Sequence, residues 1–283
     1  MPLSWTSLLA SFHSIDHVFT GKHESDRLKQ SWLGQIHQSP RLSSAYIHYL
    51  LPPESGDLEG LIPLLEGLTL EAVGWGAKQV IANILPDSDI FLHMRRAGFS
   101  VLAKHRMFKF KSLNSPMTQL RGKWRIWTSE DIHDMRILYA ALVPPLIQPI
   151  EPLTRLEMLG MVYDDGSGEI QAFADLVYGP AGVWVLPFVN PQTVEDTSDL
   201  LANLLSALPD VAGRPVVVTA RSYQPWIENA LSSLPGEAGL EQTLMVRYLA
   251  LRQRVTQDLP FAALENGKPE PMAPLAPIQK QQG

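Results

Sequence analysis

Several potential metal ligands lie close together near the N-terminus: His13, Asp16, His17 and His23. On a helix, His13 and His17 would share one face, as paired histidines of zinc sites do. No third ligand follows at a recognisable spacing, and a solvated helix face accounts for the same residues. We therefore predict no metal site.

A second group of chemically capable residues follows a short apolar strand predicted at 215–220. Arg221, Tyr223 and Trp226 come directly after it. Ligands often bind where strands end at an opening in a sheet, so these side chains are candidates to line a substrate cleft. The alternative is structural, with Tyr223 packing against its helix and Trp226 in the core. The residues alone leave both interpretations open.

Composition excludes several classes of function. The chain has 283 residues, a net charge of −6 and no cluster of Lys and Arg, so it lacks the electrostatic signature of a nucleic-acid-binding protein. It has no Cys, which excludes disulfides, thiolate nucleophiles and Cys-ligated metals. No stretch approaches the roughly 20 apolar residues that span a bilayer, and the N-terminus does not resemble a secretory signal. We expect a cytoplasmic protein without nucleic-acid or membrane partners.

The chain contains an internal repeat. Three landmarks of the first half recur in the second: a proline at 53 and 191, a short apolar strand from about 80 and 216, and a glycine at 98 and 239. The offsets are 138, 136 and 141 residues. A near-constant offset over three separate features indicates a tandem duplication, so we predict two copies of one α+β unit.

Periodicity predicts the elements of each half. In the first half we expect helices at about 4–19, 58–74 and 89–97 and strands at 32–37, 45–51, 78–84 and 101–110. In the second half we expect strands at 124–128, 159–163, 170–177, 183–189, 215–220 and 242–251, with helices after Ser129 and at 193–208 and 223–234. The predicted units are 1–111 and 123–257, joined by a linker at 112–122. The Pro-rich segment 258–283 is predicted to be a disordered tail.

The order of these elements resembles that of the GCN5-related N-acetyltransferase (GNAT) fold. Three short motifs support the resemblance, which covers about 5–111 and 123–252: AGFSV at 97–101, Gly-Ala at 76–77 and WLGQI at 32–36. It implies two α+β units, each with a mixed, mostly antiparallel twisted sheet flanked by helices. It also implies acyl transfer from acetyl-CoA or another acyl-CoA to an amine.

The resemblance further implies where the site would lie. In GNAT proteins acyl-CoA occupies a cleft between the diverging fourth and fifth strands, which here would use the backbone of Val185, Leu186 and Val189. The loop after the second unit's first helix borders the acceptor cleft, which makes Gln148 and Glu151 candidates for ligand contact or general base. The alternative is a structural turn that the prolines of this loop stiffen. Glu151 and Tyr223 are the candidate catalytic residues, and Gln148, Arg221 and Trp226 the candidate cleft residues.

Both copies depart from the family pattern at the loop that binds the CoA pyrophosphate. Residues 54–60 contain three carboxylates, and residues 192–199 contain no glycine and three more. A carboxylate beside a phosphate predicts weak binding, no tighter than about 0.1 mM in the second copy. Met94 also stands where many members have a general-acid Tyr. The alternative function is therefore a non-catalytic binding or protein-interaction module that keeps the fold.

Overall fold

A computed structural model describes residues 17–25, 30–39, 42–52, 58–111, 119–153, 159–193 and 195–249. The predicted tail at 258–283, most of the predicted linker and the ligand candidates His13 and Asp16 lie outside the described residues. No described helix combines the length and hydrophobicity needed to cross a membrane.

The first repeat follows the predicted order apart from one additional strand at its start. The strands β1 (His17–Ser25), β2 (Gln30–Gln38) and β3 (Ser44–Leu51) form an antiparallel meander. It is followed by α1 (Leu61–Gly74), β4 (Gln79–Ile84), α2 (Asp89–Arg96) and β5 (Ser100–Phe110). Gly98 has a φ of +84°, and this left-handed conformation, which glycine adopts without strain, turns the chain from α2 into β5.

The predicted helix at 4–19 is wrong for its last three residues, which begin β1. β1 pairs with β2 along its whole length, from His17 opposite Gln38 to Ser25 opposite Gln30. Long-range strand pairing outweighs a local apolar periodicity here. His17 stacks on Trp75 with ring centroids 5.4 Å apart. Among the described residues, no group of three His, Asp or Glu side chains could hold a metal ion.

The second repeat also follows the predicted order. It begins with β6 (Lys123–Ile126), a 3₁₀ turn (Ser129–Asp131) and α3 (Ile132–Leu142). The meander of β7 (Gly160–Asp164), β8 (Ala172–Gly179) and β9 (Gly182–Val189) comes next. It leads to α4 (Thr197–Ala207), β10 (Val216–Arg221), α5 (Pro225–Ser232), β11 (Glu237–Ala238) and β12 (Gln242–Tyr248).

The two repeats share one sheet and exchange their last strands. The strand order is β1-β2-β3-β4-β12-β5-β10-β9-β8-β7-β6, with β11 paired to β5. β12, the last strand of the second repeat, lies between β4 and β5 of the first, and β5 pairs in turn with β10. Each repeat therefore completes the other. The predicted α+β class with a mixed, mostly antiparallel sheet is confirmed.

Each repeat contains one short parallel pair. β3 and β4 pair at three positions, from Ser44 opposite Gln79 to Tyr46 opposite Ile81. β9 and β10 also pair at three positions, from Val183 opposite Val216 to Val185 opposite Val218. Beyond these positions the strands of each pair diverge, as the GNAT resemblance implies for strands four and five.

Helices cover the two faces of the sheet differently. On one face, α1 and α2 bury the core of the first repeat, and α4 and α5 bury that of the second. On the other face, α3 and the turn after it cover a core that draws residues from both repeats. Alternation along β12 separates these layers, because Met245 packs in the first repeat's core while Leu244 and Val246 belong to the shared core.

Candidate functional site

A pocket lies at the centre of the sheet, where β4 and β10 end. Ile84 of β4 is opposite Thr243 of β12, and Thr243 is opposite Lys104 of β5. The carbonyl of Lys104 accepts a hydrogen bond from the amide of Ser222, which directly follows β10. Because of the strand exchange, β4 and β10 run in opposite directions, and their carboxyl ends lie at the same level of the sheet.

Both repeats line this central pocket. The empty space between its walls, including the open mouth, is about 410 Å³. The centre of a water-sized molecule can occupy only about 20 Å³ of this space. The first repeat contributes Tyr46, Asn83, Ala103, Lys104 and His105, and the second contributes Ile150, Glu151, Thr219, Arg221, Tyr223 and Leu244. Three predicted site residues, Glu151, Arg221 and Tyr223, therefore meet in one place.

A buried ion pair forms one wall of the central pocket. Arg221 donates to both carboxylate oxygens of Glu151, from Nε to Oε2 at 2.6 Å and from Nη2 to Oε1 at 2.9 Å. The side chains are 3% and 12% exposed, so water screens the pair little. Burial alone would lower the pKa of Arg221, but Glu151, Tyr223 and Asp175 together outweigh it and the pKa is raised. The guanidinium therefore stays charged and fixes the carboxylate.

Tyr223 completes this arrangement by donating from its hydroxyl to Oε2 of Glu151 at 3.0 Å. Burial raises the pKa of Tyr223; Arg221 lowers it, but less strongly, and Glu151 raises it further. The phenol is therefore protonated at neutral pH. A protonated phenol bonded to a carboxylate can pass a proton to or from a group in the pocket.

The turn after α3 places Glu151 and is anchored on both repeats. Ile150 and Glu151 donate their amides to the carbonyl of Ile147 at 2.8 and 3.0 Å. The hydroxyl of Tyr46 on β3 donates to the carbonyl of Ile150 at 3.0 Å, and that of Tyr139 on α3 donates to the carbonyl of Glu151 at 2.7 Å. The turn thereby crosses from the second repeat onto the first.

Two of the predicted cleft residues do not line the central pocket. The side-chain amide of Gln148 donates to the carbonyl of Val143 at 2.9 Å and so holds the turn closed. Trp226 packs against the second repeat's core, and its indole N–H donates to the carbonyl of Val189 at 3.0 Å. The structure brings neither side chain to Glu151.

The other eight residues that line the pocket were not predicted from the sequence, and among them Asn83 and His105 bear most on its chemistry. Asn83 interrupts the apolar run that follows Gln79 in β4, and this break in the pattern was the available signal. His105 has Lys104 and Arg106 as neighbours in β5, so the pattern there offered no signal. Nε2 of His105 lies 3.1 Å from Oε1 of Gln242. Burial, with the nearby Arg221 charge, lowers the pKa of His105 to about 4. His105 is therefore uncharged at neutral pH.

The buried, uncharged His105 predicts a pH dependence of stability. Its pKa is about 6.5 when unfolded and about 4 when folded, so the unfolded chain binds more protons between these values. The stability that neutral His105 provides is complete above pH 6.5 and is lost as the pH falls towards 4. The loss should be up to about 3 kcal/mol.

Urea unfolding of wild type and of His105→Gln at pH 7, 5.5 and 4.5 tests this expectation. The variant should lose less stability than wild type on acidification, whereas His133→Gln on the exposed surface of α3 should behave like wild type. Equal acid sensitivity of wild type and His105→Gln would refute it.

In the second repeat, the chain's own side chains occupy the edge of β9 that faces β10. Residues 183, 185, 187 and 189 direct their backbone groups to this edge, because the intervening residues face β8. Val185 is opposite Val218, and Pro187 has no N–H to offer. Both backbone groups of Val189 already have partners. Its amide donates to Oε1 of Gln224 at 3.3 Å, and its carbonyl accepts a hydrogen bond from the indole N–H of Trp226.

Leu186 lies on the other edge of β9, opposite Asp175 of β8. Of the backbone groups that the resemblance assigned to acyl-CoA in this repeat, those of Leu186 and Val189 are therefore engaged within the protein.

The N-terminus of α4 is capped by a side chain. Oδ1 of Asp196 accepts hydrogen bonds from the amides of Ser198 at 2.8 Å and Asp199 at 3.2 Å. Glu195 instead accepts from the hydroxyl of Tyr163 at 2.9 Å and from the amide of Arg121 at 2.8 Å. A pyrophosphate at this helix would have to displace the Asp196 carboxylate.

The first repeat differs at the equivalent positions. Tyr49 and Ile47 of β3 pair with consecutive residues of β2, which leaves His48 as an extra residue, a β-bulge. Such a bulge bends its strand, and this one lies directly after the last pair between β3 and β4. The sequence of β3 contains no proline.

At the start of α1 the N-cap is Gly60, which has no side-chain hydrogen bond, and the first turn contains no acidic residue. A Cβ at Gly60 would approach the Trp32 ring to 2.9 Å, so glycine is required where the helix meets β2. Residues 53–57 of the preceding loop lie outside the described residues. Met94 is fully buried in the first repeat's core, where it contributes to packing and cannot act as a general acid.

Comparison with known proteins identifies the fold. No protein-family model matches the chain, and no curated protein matches its sequence. Solved structures do match. A functionally unknown conserved protein from Staphylococcus epidermidis aligns with a TM-score of 0.55 at 10% identity, over 77% of this chain and 91% of its own. A GCN5-related N-acetyltransferase from Kribbella flavida aligns with a TM-score of 0.51 at 11% identity, over 77% and 87%.

Both alignments are longer than either repeat, so they span the two copies. Together with the internal repeat, they confirm that the chain has a tandem GNAT-like fold.

Proposed function

We propose that this protein is an acyl-CoA-dependent N-acyltransferase in which the first repeat holds acyl-CoA and the central pocket receives the acceptor amine. The contrast between the two diverging strand pairs carries the proposal. β9 is interrupted by Pro187 and engaged by Gln224 and Trp226, whereas β3 is free of proline and bulged at His48. Of the two repeats, the first therefore has the better surface for an extended ligand, along β3.

The N-terminus of α1 supports the same assignment. The first amides of a helix have no partner within the helix, and they carry the positive end of its dipole, which favours a phosphate. At α4 the Asp196 carboxylate occupies this position. At α1 the N-cap is a glycine and the first turn contains no acidic residue, although Glu59 precedes the cap, the amide of Leu61 donates to the carbonyl of Leu58 and Pro63 has no N–H.

The central pocket lies next to this cleft. Tyr46 is in the last parallel pair of β3 with β4, Asn83 lies two residues beyond the β4 partner, and both line the pocket. Acyl transfer forms a bond from the amine nitrogen to the acyl carbon and breaks the carbon–sulfur bond. In this proposal Glu151 accepts the proton that the amine loses, and Tyr223 donates one to the departing thiolate.

A charge placed at α1 tests the location of acyl-CoA. Pro63 is exposed in the first turn of α1, and Pro63→Glu puts a carboxylate near the proposed phosphate position. At about 8 Å and an effective dielectric near 20 the repulsion is about 2 kcal/mol, so acetyl-CoA should bind roughly thirtyfold more weakly. Calorimetric titration of the variant and of wild type measures the difference.

Pro63→Gln is the matched control, since it changes the shape but not the charge and should bind acetyl-CoA like wild type. The double variant Glu195→Gln, Asp196→Asn removes two charges at α4 and should leave the affinity unchanged, because Asn also caps helices well. If that double variant binds more tightly while Pro63→Glu has no effect, acyl-CoA belongs to the second repeat.

A non-catalytic interaction module is the second candidate function. It is favoured by Met94, which packs where a general acid stands in many GNAT proteins, and by the occupied edge of β9. The same titration decides between the two functions: no binding of acetyl-CoA or CoA by wild type would favour the module.

A further inference from the structure

We infer that the central pocket binds a small, uncharged group with hydrogen-bond donors, of the carboxamide class, in preference to an ammonium or a carboxylate. The starting observation is Asn83. Its Oδ1 is buried at the pocket and has no hydrogen-bond partner in the part of the chain that the structure describes. An unsatisfied buried acceptor costs about 1 to 3 kcal/mol, which a ligand's N–H would recover.

The charges around the central pocket cancel. Glu151 and Arg221 neutralise each other through two hydrogen bonds. Nζ of Lys104, at the more exposed side, lies 2.7 Å from the Glu241 carboxylate. His105 is uncharged at neutral pH because its pKa is lowered to about 4. A charged ligand would lose its hydration here without gaining an unpaired opposite charge, and this loss is large.

Size and surface narrow the ligand further. The centre of a water-sized molecule has about 20 Å³ to occupy in the pocket, which suits one small group rather than a chain or a ring. Ala103, Ile150 and Leu244 give the pocket an apolar flank, while Asn83 on β4 and Thr219 on β10 add polar groups to its lining. A carboxamide combines an N–H donor and a C=O acceptor with a short apolar stem, which matches all three features.

This inference rests on the proposed function, in which the central pocket is the acceptor site. It implies an acceptor amine that is anchored through a nearby amide group. Binding to the pocket is nevertheless measurable without acyl-CoA. Acetamide binding with no acetyl-CoA binding would contradict the proposed function alone, and the reverse result would contradict this inference alone.

Ligand-observed NMR at pH 7 with acetamide, ethylammonium and acetate provides the test. Wild type should bind acetamide at least tenfold more tightly than either ion. Asn83→Asp replaces the amide with a carboxylate of the same shape and should reverse the order in favour of ethylammonium. Asn190→Asp is the matched control: Asn190 does not line the pocket, so its variant should keep the wild-type order.

Asn83→Ser provides a second variant should the buried carboxylate prevent folding. It removes the amide and should weaken acetamide binding at least tenfold. Tighter binding of either ion to wild type would overturn the inference. So would the absence of binding by all three probes, which would mean that the pocket takes only water.

Discussion

Residues 1–111, produced alone, should not fold into a stable domain, although they contain a complete sequence repeat. β12 lies between β4 and β5 in the sheet, and it comes from the end of the second repeat. Without it, both strands lose a hydrogen-bonded neighbour and expose an edge. We expect the fragment to show collapsed NMR amide dispersion and no cooperative urea transition.

A matched pair of substitutions in the full chain tests the same strand exchange. Met245 of β12 is fully buried in the first repeat's core, so Met245→Ala should lower the free energy of unfolding by about 2 to 5 kcal/mol. Leu240→Ala, at a side chain that is 72% exposed, should cost little. Cooperative unfolding of the isolated fragment would show that β12 is dispensable to the first repeat.

Replacing Arg221 with Met should lower the free energy of unfolding by about 3 to 5 kcal/mol. The substitution leaves the Glu151 carboxylate, which is 12% exposed, without its guanidinium partner in a site of low dielectric. The turn that carries Glu151 also contacts the first repeat through Tyr46, so its release would weaken the joint between repeats. Urea unfolding at pH 7 measures the loss.

Two controls separate the buried charge from the loss of contacts. The double variant Glu151→Leu, Arg221→Met removes both charges and should recover most of the lost stability. Lys111→Met breaks the exposed pair between Lys111 and Glu237, whose side chains are 68% and 65% exposed, and should leave the stability nearly unchanged. A loss for Arg221→Met as small as that for Lys111→Met would contradict the role assigned to the buried pair.

The two repeats differ in structure at the positions where the GNAT resemblance places acyl-CoA. The second repeat closes its own diverging strands with Gln224 and Trp226 and caps α4 with Asp196, and it contributes Glu151, Arg221 and Tyr223 to the central pocket. The first repeat keeps the bulged β3 and an uncapped α1. Duplication followed by such a division would leave one site per chain rather than two.

The sequence by itself determined the duplication and the type of almost every element. It also singled out Glu151, Arg221 and Tyr223, which meet in the central pocket. These features depend on local periodicity, on glycine and proline, and on the order of the elements along the chain, all of which are visible without knowing which strands are neighbours. The exceptions are β1, whose strand state is set by pairing with β2, and the two-residue β11, which pairs with β5.

Only the tertiary structure decided which strands are neighbours. The alternation of β12 is the same whether it pairs within its own repeat or between β4 and β5, so no local pattern reveals the exchange. That exchange brings Asn83 and His105 of the first repeat to Glu151 of the second. Glu151 faces the pocket because it pairs with Arg221, which is 70 residues away in sequence, so no local pattern distinguishes it from Gln148.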